Sequence, residues 1–425
     1  YHILLKFITD IFGSTEAVLR LPSVVFGTAT IFVTYLIGRE LFDKKTGAIA
    51  AILMSCAPLA IYYSQEARMY SLAGFFASVS VYFFIRVLGS AKILDWLGFI
   101  TSTALVLYSD YLPYFLIPTY ILFLVFYRKS LPKAKFSAFV PAFILIFIFV
   151  LPWFLIFPRQ FATGLSAAQA SPAWSKVVGS PNIKSVFLVP VKFTIGRISL
   201  DNNTAYVALL ALLFAIEALI FSFSIFRLSK LRSFVFFWLL APIAAAFGLS
   251  FYIPIFSYFR FIFVLPAFYL ILAAGINTLN WPKLNRALLA IFLIINLTCS
   301  FAYIFNIKFH RENWKGAASF ILNNADKATI VLFENPTSLP PFDYYAKSHV
   351  TAVGAIDKFD PTEEGTRKAV NVATQNKNKV FLFQYLVEIS DPQELAFRTL
   401  SEEGFTNIAT TNFANIGFVY EFKRK

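Results

Sequence analysis

The fold is indicated by residues 23–72, "SVVFGTATIFVTYLIGRELFDKKTGAIAAILMSCAPLAIYYSQEARMYSL". Two apolar runs, 20–38 and 46–63, are separated by a short loop that carries Arg39, Lys44 and Lys45. A helix needs about 20 apolar residues to cross the hydrocarbon core of a bilayer. The stretch therefore predicts two spanning helices joined by a basic loop, followed by the polar segment "SQEARMY", which we call the polar island (residues 64–70).

The composition of the whole chain agrees with a membrane protein. Apolar residues make up 58% of the 425 residues and charged residues 14%, whereas soluble domains have about 45–50% and about 25%. Apolar runs of spanning or nearly spanning length lie at 20–38, 46–63, 68–88, 95–109, 111–127, 136–157, 204–226, 233–253, 259–279 and 286–305. These runs predict an α-helical polytopic membrane protein with about ten transmembrane helices.

Basic residues in the short connections fix the predicted orientation. Alternate loops hold Arg39, Lys44, Lys45, Arg86, Lys92, Arg128, Lys129, Lys133, Lys135, Arg227, Lys230, Arg232, Lys283 and Arg286. The positive-inside rule places such loops in the cytoplasm. The opposite, extracytoplasmic face then receives residues 1–19, the polar island, the turn at Asp110, the segment 158–203, the turn 254–260 and everything after about residue 306. We expect a multi-pass protein of the plasma membrane.

The net charge of +14 belongs to the membrane part and does not indicate nucleic acid. Residues 1–307 hold 23 basic and 9 acidic residues, whereas residues 308–425 hold 14 of each. Loop charges and attraction to anionic lipid account for such an excess. The three histidines are scattered and both cysteines lie in apolar runs, so spacing predicts no metal site and no disulfide framework.

Composition also suggests the domain boundaries. Residues 1–19 are predicted to form an interfacial helix and an outer loop, and residues 20–307 a transmembrane domain whose segment 158–203 is a basic, aromatic outer loop. From 308 to 425 the sequence predicts a small extracytoplasmic α/β domain, with strands in "ATIVLFE", "KVFLFQYL" and "IGFVYEF". One of its helices is predicted to begin at Pro361, with Asp360 as its cap.

Polar side chains near the predicted outer surface form the candidate site. Glu66 and Arg68 lie in the island, Asp110 lies between two closely spaced apolar runs, and Arg260 begins another. A lone interfacial arginine is most often a headgroup anchor, and Glu66 and Arg68 could simply neutralise each other. Together, however, arginines suit a phosphate, tyrosines suit a sugar, and a carboxylate can act as a general base. The residues favour an enzyme acting on a lipid-linked phosphate, or a transporter of such a molecule.

The blocks "LRLPS", "YLIGRELF" and "YYSQEARMY", in this order and spacing, resemble GT-C membrane glycosyltransferases related to protein O-mannosyltransferases and to the aminoarabinose transferase of lipid A. The resemblance continues through "LYSDYLPYF", "YFRFIFVLPAFYLILAAGI" and "NWKGAASFI". It implies transfer of one sugar, with inversion, from a polyprenyl- or dolichyl-phosphate donor to a lipid, glycan or protein acceptor on the outer face. The family's members differ in their need for a divalent metal.

The resemblance also implies roles for individual residues. Arg260 is expected to hold the donor phosphate, and Arg68 either to hold it as well or to lock the loop through Glu66, while Glu66, Tyr63 and Tyr70 shape the donor site. Asp110 is a candidate second carboxylate that assists the acceptor. The family's catalytic base lies in an acidic motif of the first outer loop, followed by "HPP", and we expect that motif to lie upstream of Tyr1.

Two other functions fit the same residues. A lipid-linked saccharide flippase would need charges through the inner half of the bundle, where Glu217 is the one acid deep within an apolar run. A catalytically incomplete member of the family would bind the donor without turning it over. A membrane anchor for a sensing tail fits poorly with so many predicted spans.

Overall fold

A computed structural model describes residues 1–90, 92–170, 182–225, 229–279, 281–356 and 361–425. The chain divides into two compact units. The first, which we call the membrane unit, comprises residues 1–158 and 178–305, and the second, the C-terminal unit, comprises 159–177 and 306–425.

The membrane unit is helical in its described residues. Its helices are α1 (His2–Phe12), α2 (Glu16–Leu41), α3 (Lys44–Ser55), α4 (Pro58–Ser64), α5 (Tyr70–Gly89), α6 (Ile93–Leu107), α7 (Leu116–Tyr127), α8 (Lys133–Ala170), α9 (Ile183–Ile195), α10 (Asn203–Ile225), α11 (Phe234–Leu249), α12 (Leu265–Thr278) and α13 (Pro282–Phe305). The part of α8 from residue 159 onward belongs to the C-terminal unit. Two 3₁₀ segments, Leu112–Phe115 and Tyr258–Val264, lead directly into α7 and α12.

Each of the ten apolar runs is largely helical in its described residues, so the prediction of a helical polytopic protein is confirmed. Six helical segments of the described chain are long and apolar enough to cross a bilayer: Glu16–Leu41, Tyr70–Gly89, Lys133–Gly164, Asn203–Ile225, Tyr258–Thr278 and Pro282–Phe305. The pair α3 and α4, bent by 60°, would make a seventh. The remaining runs form α6, α7 and α11, which have only 12 to 16 residues, so among the described residues six or seven segments reach the length of a full span and the other predicted helices are shorter.

Local sequence explains where several helices begin and bend. Thr15 caps α2 through a hydrogen bond that its side chain accepts from the Val18 amide, and Asp43 caps α3 in the same way by accepting from the Thr46 amide at 2.8 Å. The bend between α3 and α4 falls at Ala57, just before Pro58. A residue before proline avoids the helical region, so one apolar run becomes two helices.

The segment 158–203, predicted to be an outer loop, is not an irregular loop in its described part. Helix α8 continues to Ala170, and residues 183–195 form α9. Loop composition was misleading because basic and aromatic residues also suit a helix at an interface. Residues 171–181, which include the predicted interfacial Trp174, lie outside the described residues.

The segment Tyr258–Thr278 is the central element of the membrane unit. Side chains from Phe261 to Ala273 are almost completely buried, and Phe268 and Tyr269 have no exposed surface. Tyr269 donates a hydrogen bond to the Phe193 carbonyl of α9 at 2.9 Å. Because this segment is packed on all sides, it fixes Arg260 at one of its ends and Asn277 at the other.

Helices α2 and α3 pack backbone to backbone at Gly38 and Gly47. A Cβ atom at Gly47 would lie 2.6 Å from the Tyr35 carbonyl oxygen and 2.9 Å from the Arg39 amide nitrogen. Real Cβ atoms do not approach backbone atoms so closely, and a backbone cannot move aside as a flexible side chain can.

We therefore expect Gly47→Ala to destabilise the protein by about 1–3 kcal/mol, the usual cost of overpacking a tight contact. The measurement is thermal denaturation of the detergent-solubilised chain. The matched control is Gly248→Ala, because a Cβ atom at Gly248 meets nothing within 4 Å. Equal melting temperatures for the two variants would contradict the close packing of α2 on α3.

The C-terminal unit has a five-stranded mixed sheet. Its strands are β1 (Thr329–Phe333), β2 (Ala352–Gly354), β3 (Lys379–Phe383), β4 (Phe405–Phe413) and β5 (Gly417–Arg424), in the order β2-β1-β3-β5-β4. Strands β2, β1 and β3 are parallel, whereas β5 is antiparallel to both β3 and β4. The helices are α14 (Trp314–Asn324), α15 (Leu339–Ala346), α16 (Glu363–Thr374), α17 (Val387–Ser390) and α18 (Leu395–Glu402).

The small sheet predicted from the sequence is confirmed, with differences in detail. The three predicted strands are β1, β3 and β5. Helix α16 begins at Glu363 and is capped by Thr362, whose side chain accepts from the Gly365 amide at 3.2 Å. The predicted cap Asp360 lies outside the described residues, and Pro361 precedes the helix instead of opening it.

Candidate functional site

The polar island forms a tight turn between α4 and α5. The Arg68 amide donates to the Glu66 carbonyl at 2.8 Å, and the two side chains form an ion pair of 3.6 Å. The Glu66 side chain is only 11% exposed, whereas that of Arg68 is 56% exposed. The predicted pairing of these charges is therefore present, but Arg68 keeps a guanidinium surface that a ligand can reach.

Aromatic rings hold the island in place. Tyr63 and Tyr70 are buried, with ring centroids 4.9 Å apart, and both rings contact Phe259 at 5.9 Å. The Arg68 guanidinium lies 5.5 Å from the centroid of the Tyr70 ring, close enough for a cation–π contact. Because Phe259 immediately precedes Arg260, these rings join the island to the start of the central segment.

The island also contacts the first third of α2. Ser23 donates from its hydroxyl to the Arg68 carbonyl at 3.4 Å. A Cβ atom at Gly27 would lie 2.0 Å from the Ser64 hydroxyl oxygen, so this glycine permits the close approach of α2 to the end of α4.

Asp110 lies in the short turn between α6 and the 3₁₀ segment that precedes α7. Its carboxylate accepts from the Tyr111 amide at 2.7 Å. Although part of the residue reaches the surface, protein atoms surround the carboxyl group, and this burial raises the pKa of Asp110. The hydrogen bond from Tyr111 and the charges of Arg260 and Arg68 act in the opposite direction and do not cancel the effect of burial.

Asp110, Arg68, Arg260, Glu66 and Tyr70 are linked by electrostatic interactions. The charges of Arg260 and Arg68 act on Asp110, and those of Arg68, Asp110, Glu66 and Arg260 all act on the Tyr70 hydroxyl. The structure thus brings together all six residues that the sequence singled out, the sixth being Tyr63. They come from three stretches of the chain separated by about 40 and 150 residues.

Two further cationic side chains lie next to this group. Both belong to the segment 158–203, which was not predicted to be part of the site. Arg197 donates to the Tyr62 hydroxyl at 2.6 Å and lies 4.8 Å from the centroid of its ring. Its charge also interacts with Glu66. The signal in the sequence was the excess of basic residues in 158–203, which hold a single acid, Asp201.

Lys192 is the second of these cations and is buried. Its ammonium donates to the Tyr206 hydroxyl at 2.7 Å and to the Ile198 carbonyl at 3.1 Å. It lies 5.6 Å from the centroid of the Tyr258 ring. Burial, together with the nearby charge of Arg197, lowers the pKa of Lys192 to about 8. No salt bridge to a carboxylate is recorded for it among the described residues.

The group as a whole favours an anion. Arg68, Arg260 and Arg197 lie within electrostatic reach of Glu66, Asp110 or the tyrosines between them, and Lys192 adjoins Arg197. Arg260 makes no side-chain hydrogen bond and no ion pair within 4 Å with residues that the structure describes. Arginine forks bind phosphate in a bidentate manner, and tyrosine combines an apolar ring with a hydrogen-bonding tip. Within the described ranges, no cluster of three His, Cys, Asp or Glu residues could hold a metal ion.

Comparisons with known sequences agree with the resemblance of the N-terminal part. Residues 1–155 match the sequence model of the family described as dolichyl-phosphate-mannose-protein mannosyltransferase. The putative mannosyltransferase YkcB of Bacillus subtilis is 23% identical over 147 residues. That alignment covers 34% of this chain and spans only 20% of the length of YkcB.

Comparisons with solved structures cover almost the whole chain. ArnT from Cupriavidus metallidurans, bound to undecaprenyl phosphate, superimposes with a TM-score of 0.57 over 99% of this chain and 86% of its own, at 9% identity. The oligosaccharyltransferase AglB from Archaeoglobus fulgidus, in complex with an inhibitory peptide and a dolichol-phosphate, gives a TM-score of 0.56 at 13% identity, over 98% of this chain and 65% of its own. The chain therefore has the GT-C fold of membrane glycosyltransferases.

Proposed function

We propose that this protein transfers one sugar from a polyprenyl- or dolichyl-phosphate donor to an acceptor, with inversion at the anomeric carbon, on the extracytoplasmic side of the plasma membrane. The observation that carries the proposal is the convergence of four cations, two carboxylates and several tyrosines at the polar island. Such a donor combines a phosphate, a sugar and a long apolar chain. The cations suit the phosphate, the tyrosines suit the sugar, and the apolar helices of the membrane unit suit the chain.

We assign to the arginines the role of stabilising the departing phosphate. As the bond between the sugar and the phosphate breaks, negative charge grows on the leaving oxygen. Arg260 and Arg68 would offer fixed positive charge and forked N–H donors at that position, and pre-oriented groups of this kind lower the barrier most when charge develops during the reaction. Glu66 holds Arg68 in place, so we assign Glu66 a positioning role.

The tyrosines and Asp110 would act on the sugar and on the acceptor. Tyr63 and Tyr70 shape the wall of the donor site through their contacts with Phe259. Asp110 would orient the acceptor hydroxyl as a second carboxylate. Its raised pKa makes its carboxylate a stronger hydrogen-bond acceptor than that of an exposed aspartate, which suits a group that orients a hydroxyl.

Relatives with similar folds support the choice of donor. The name of the matching family contains dolichyl-phosphate-mannose, and the two similar structures contain undecaprenyl phosphate and a dolichol-phosphate. We extend that donor class, but not the particular sugar or acceptor, to this chain.

The carrier alternative would require polar groups that lead through the bundle. Glu217 of α10 is buried, but one of its oxygens accepts a hydrogen bond from the Thr194 hydroxyl at 2.6 Å. The Tyr269 hydroxyl lies within electrostatic reach of Glu217, and Glu217 itself has almost no exposed surface. This acid is therefore held within the packed core, which favours a transferase over a carrier.

The test is a transfer assay in liposomes that contain the purified protein and polyprenyl phosphates carrying a radiolabelled sugar. Membranes of the source cells supply the acceptor. We expect the label to leave the lipid fraction and free polyprenyl phosphate to accumulate. Movement of intact donor across the bilayer, without cleavage, would instead support the carrier, and binding without cleavage would support an incomplete enzyme.

In this assay Asp110→Asn is expected to lower the rate of transfer at least tenfold, because a neutral amide accepts a weaker hydrogen bond from the acceptor hydroxyl than a carboxylate does. The matched control is Asp10→Asn, since Asp10 is exposed and paired only with Lys6 on the surface of α1. Equal rates for the two variants would remove Asp110 from the proposed mechanism.

A further inference from the structure

The membrane unit contains a polar cavity away from the polar island, which we call the inner cavity. Its volume is about 200 Å³, several times the roughly 30 Å³ that one water molecule occupies in the liquid. The lining includes Phe42, Asp43, Thr46, Ser224, Arg232 and Asn277. These residues come from the α2–α3 connection, the first turn of α3, the ends of α10 and α12, and the short segment that precedes α11.

The inner cavity is separate from the candidate donor site. Helix α2 contacts the polar island through Ser23, whereas the carbonyl of Leu41, at its other end, accepts from Arg232 at 2.9 Å. These positions are 18 residues apart on a helix that rises 1.5 Å per residue. About 27 Å therefore lies between the two sites, close to the thickness of a hydrocarbon core.

The first wall of the inner cavity is cationic. Arg232 uses its Nε atom to reach the Leu41 carbonyl, and its guanidinium lies 5.6 Å from the centroid of the Phe42 ring. These contacts fix the side chain while its two terminal nitrogens make no hydrogen bond with residues that the structure describes. A guanidinium held in this way presents a fork that fits two oxygens of a phosphate.

The second wall is anionic and equally well fixed. Asp43 accepts from the Thr46 amide at 2.8 Å and from the Thr46 hydroxyl at 3.1 Å. Asn277 donates to the Thr46 hydroxyl at 3.0 Å and approaches Asp43 at 3.5 Å. Thr46 is almost completely buried. The carboxylate of Asp43 is therefore held in one orientation and can accept further hydrogen bonds from a cation.

The surroundings of the inner cavity indicate a lipid. Arg39, Lys44 and Lys45 lie in the same connection as Asp43, and hydropathy places this connection at the cytoplasmic surface of the bilayer, where headgroup phosphates lie. Ser224 lines the cavity, and its neighbours Phe223 and Ile225 are 40% and 56% exposed. The acyl chains of a lipid can therefore lie against the exposed apolar side chains of Phe223 and Ile225, next to the polar cavity.

We propose that the inner cavity binds the headgroup of an ethanolamine phospholipid, with its phosphate on Arg232 and its primary ammonium on Asp43. The presence of both charges selects a zwitterion over an anionic headgroup, because Asp43 would repel a second negative group. A primary ammonium also has N–H donors for the carboxylate, whereas the quaternary ammonium of a choline lipid has none. The bound lipid would join α3, α10 and α12 at their cytoplasmic ends.

The experiment measures lipid binding to the purified full chain by native mass spectrometry after delipidation. Phosphatidylethanolamine, phosphatidylcholine and phosphatidylglycerol with identical acyl chains are added separately. We expect the ethanolamine lipid to bind at least tenfold more tightly than either of the others. Equal binding of the ethanolamine and glycerol lipids would overturn the proposal, and so would tighter binding of the glycerol lipid.

Two variants make the test specific to the inner cavity. Asp43→Asn keeps an oxygen that can cap α3 but loses the charge, so the preference for ethanolamine over choline lipid should disappear. Arg232→Lys keeps the charge but loses the fork, and we expect it to weaken binding of the ethanolamine lipid at least fivefold. Glu40→Gln, which lies near the end of α2 but outside the lining, is the control and should bind as the wild type does. An unchanged preference in correctly folded Asp43→Asn would overturn the proposal.

Water-soluble phosphoethanolamine separates a headgroup site from a site for a free phosphate compound. If the lipid is the occupant, phosphoethanolamine should compete only at concentrations far above that of the lipid, because it lacks the apolar contacts. Competition at equal concentration would show that the inner cavity serves a soluble phosphate compound and would contradict the lipid proposal.

Discussion

Replacing Arg260 by alanine is expected to lower the rate of sugar transfer about 10²- to 10³-fold, the usual effect of removing one donor that stabilises charge in a transition state. Arg260 is the strongest candidate because it begins the most deeply buried segment of the membrane unit and is fixed by it. Its charge acts on Asp110 and on the Tyr70 hydroxyl, and it has no ion partner within 4 Å among the described residues. A phosphate would supply the missing partner.

The measurement is the initial rate of transfer in liposomes at saturating donor, together with the dependence of the rate on donor concentration. Arg260→Lys should recover part of the rate, since it restores the charge but not the fork. Arg20→Ala is the control, because Arg20 makes an exposed pair of 3.6 Å with Glu16 on the first turns of α2. Near-normal transfer by Arg260→Ala would exclude Arg260 from the donor site, provided that the variant is inserted normally into the membrane.

Much of the candidate site could be predicted because charges are rare near apolar runs. Glu66, Arg68, Asp110 and Arg260 each interrupt or begin such a run, and each needs a partner, water or a ligand. Topology placed them on one face, and the structure brings them into one group. Hydropathy therefore predicted that residues far apart in the sequence lie on the same face of the membrane, without any knowledge of how the helices pack.

Arg197 and Lys192 could not be assigned in the same way. Their segment looked like a loop, and no periodicity indicated that α9 would carry Lys192 towards Tyr206 and Tyr258. The hydrogen bond between Arg197 and Tyr62 joins residues 135 positions apart. Contacts of this kind depend on how helices pack against one another, and the pattern of one segment does not contain that information.

Prediction of the fold from the sequence has the same limits. The length of an apolar run predicts that a segment is helical and membrane-embedded. Helices α6 and α11 are nevertheless shorter than a full span, because part of each apolar run forms a turn at the end of the helix. In the C-terminal unit, β1 and β3 are apolar and buried and were predicted. Strand β4, "FTNIATTNF", is largely exposed at the edge of the sheet and lacks the alternation that indicates a half-buried strand.

The C-terminal unit contains an acid whose ionisation should control its stability. Glu334 directly follows β1, has no exposed surface, and neither carboxyl oxygen has a hydrogen-bond partner among the described residues. Burial, together with the negative charges of Asp391 and Glu394, raises the pKa of Glu334 to about 9. The carboxyl group is therefore protonated in the folded protein at neutral pH.

The sign of the pH dependence follows from the two states of the protein. In the unfolded chain Glu334 has the usual pKa of about 4.3, so between that pH and about pH 9 the folded state binds one more proton at this residue than the unfolded state does. The stability that this proton contributes is fully present below about pH 4 and is lost as the pH rises to about 9. The loss is at most about 1.4 kcal/mol for each pH unit in this window.

We expect Glu334→Gln to remove this dependence, because the amide resembles the protonated acid in shape and cannot ionise. The variant should exceed the wild type in stability at pH 8 by more than 1 kcal/mol, roughly the effect of one pH unit, and the two should converge near pH 5. The measurement is urea unfolding of the C-terminal unit in the full chain, followed by pulse proteolysis at pH 5, 6.5 and 8. Glu388→Gln, at an exposed position of α17, is the control and should follow the wild type. A wild-type stability that rises relative to that of Glu334→Gln between pH 5 and 8 would show that Glu334 is ionised and has a cationic partner in the folded protein.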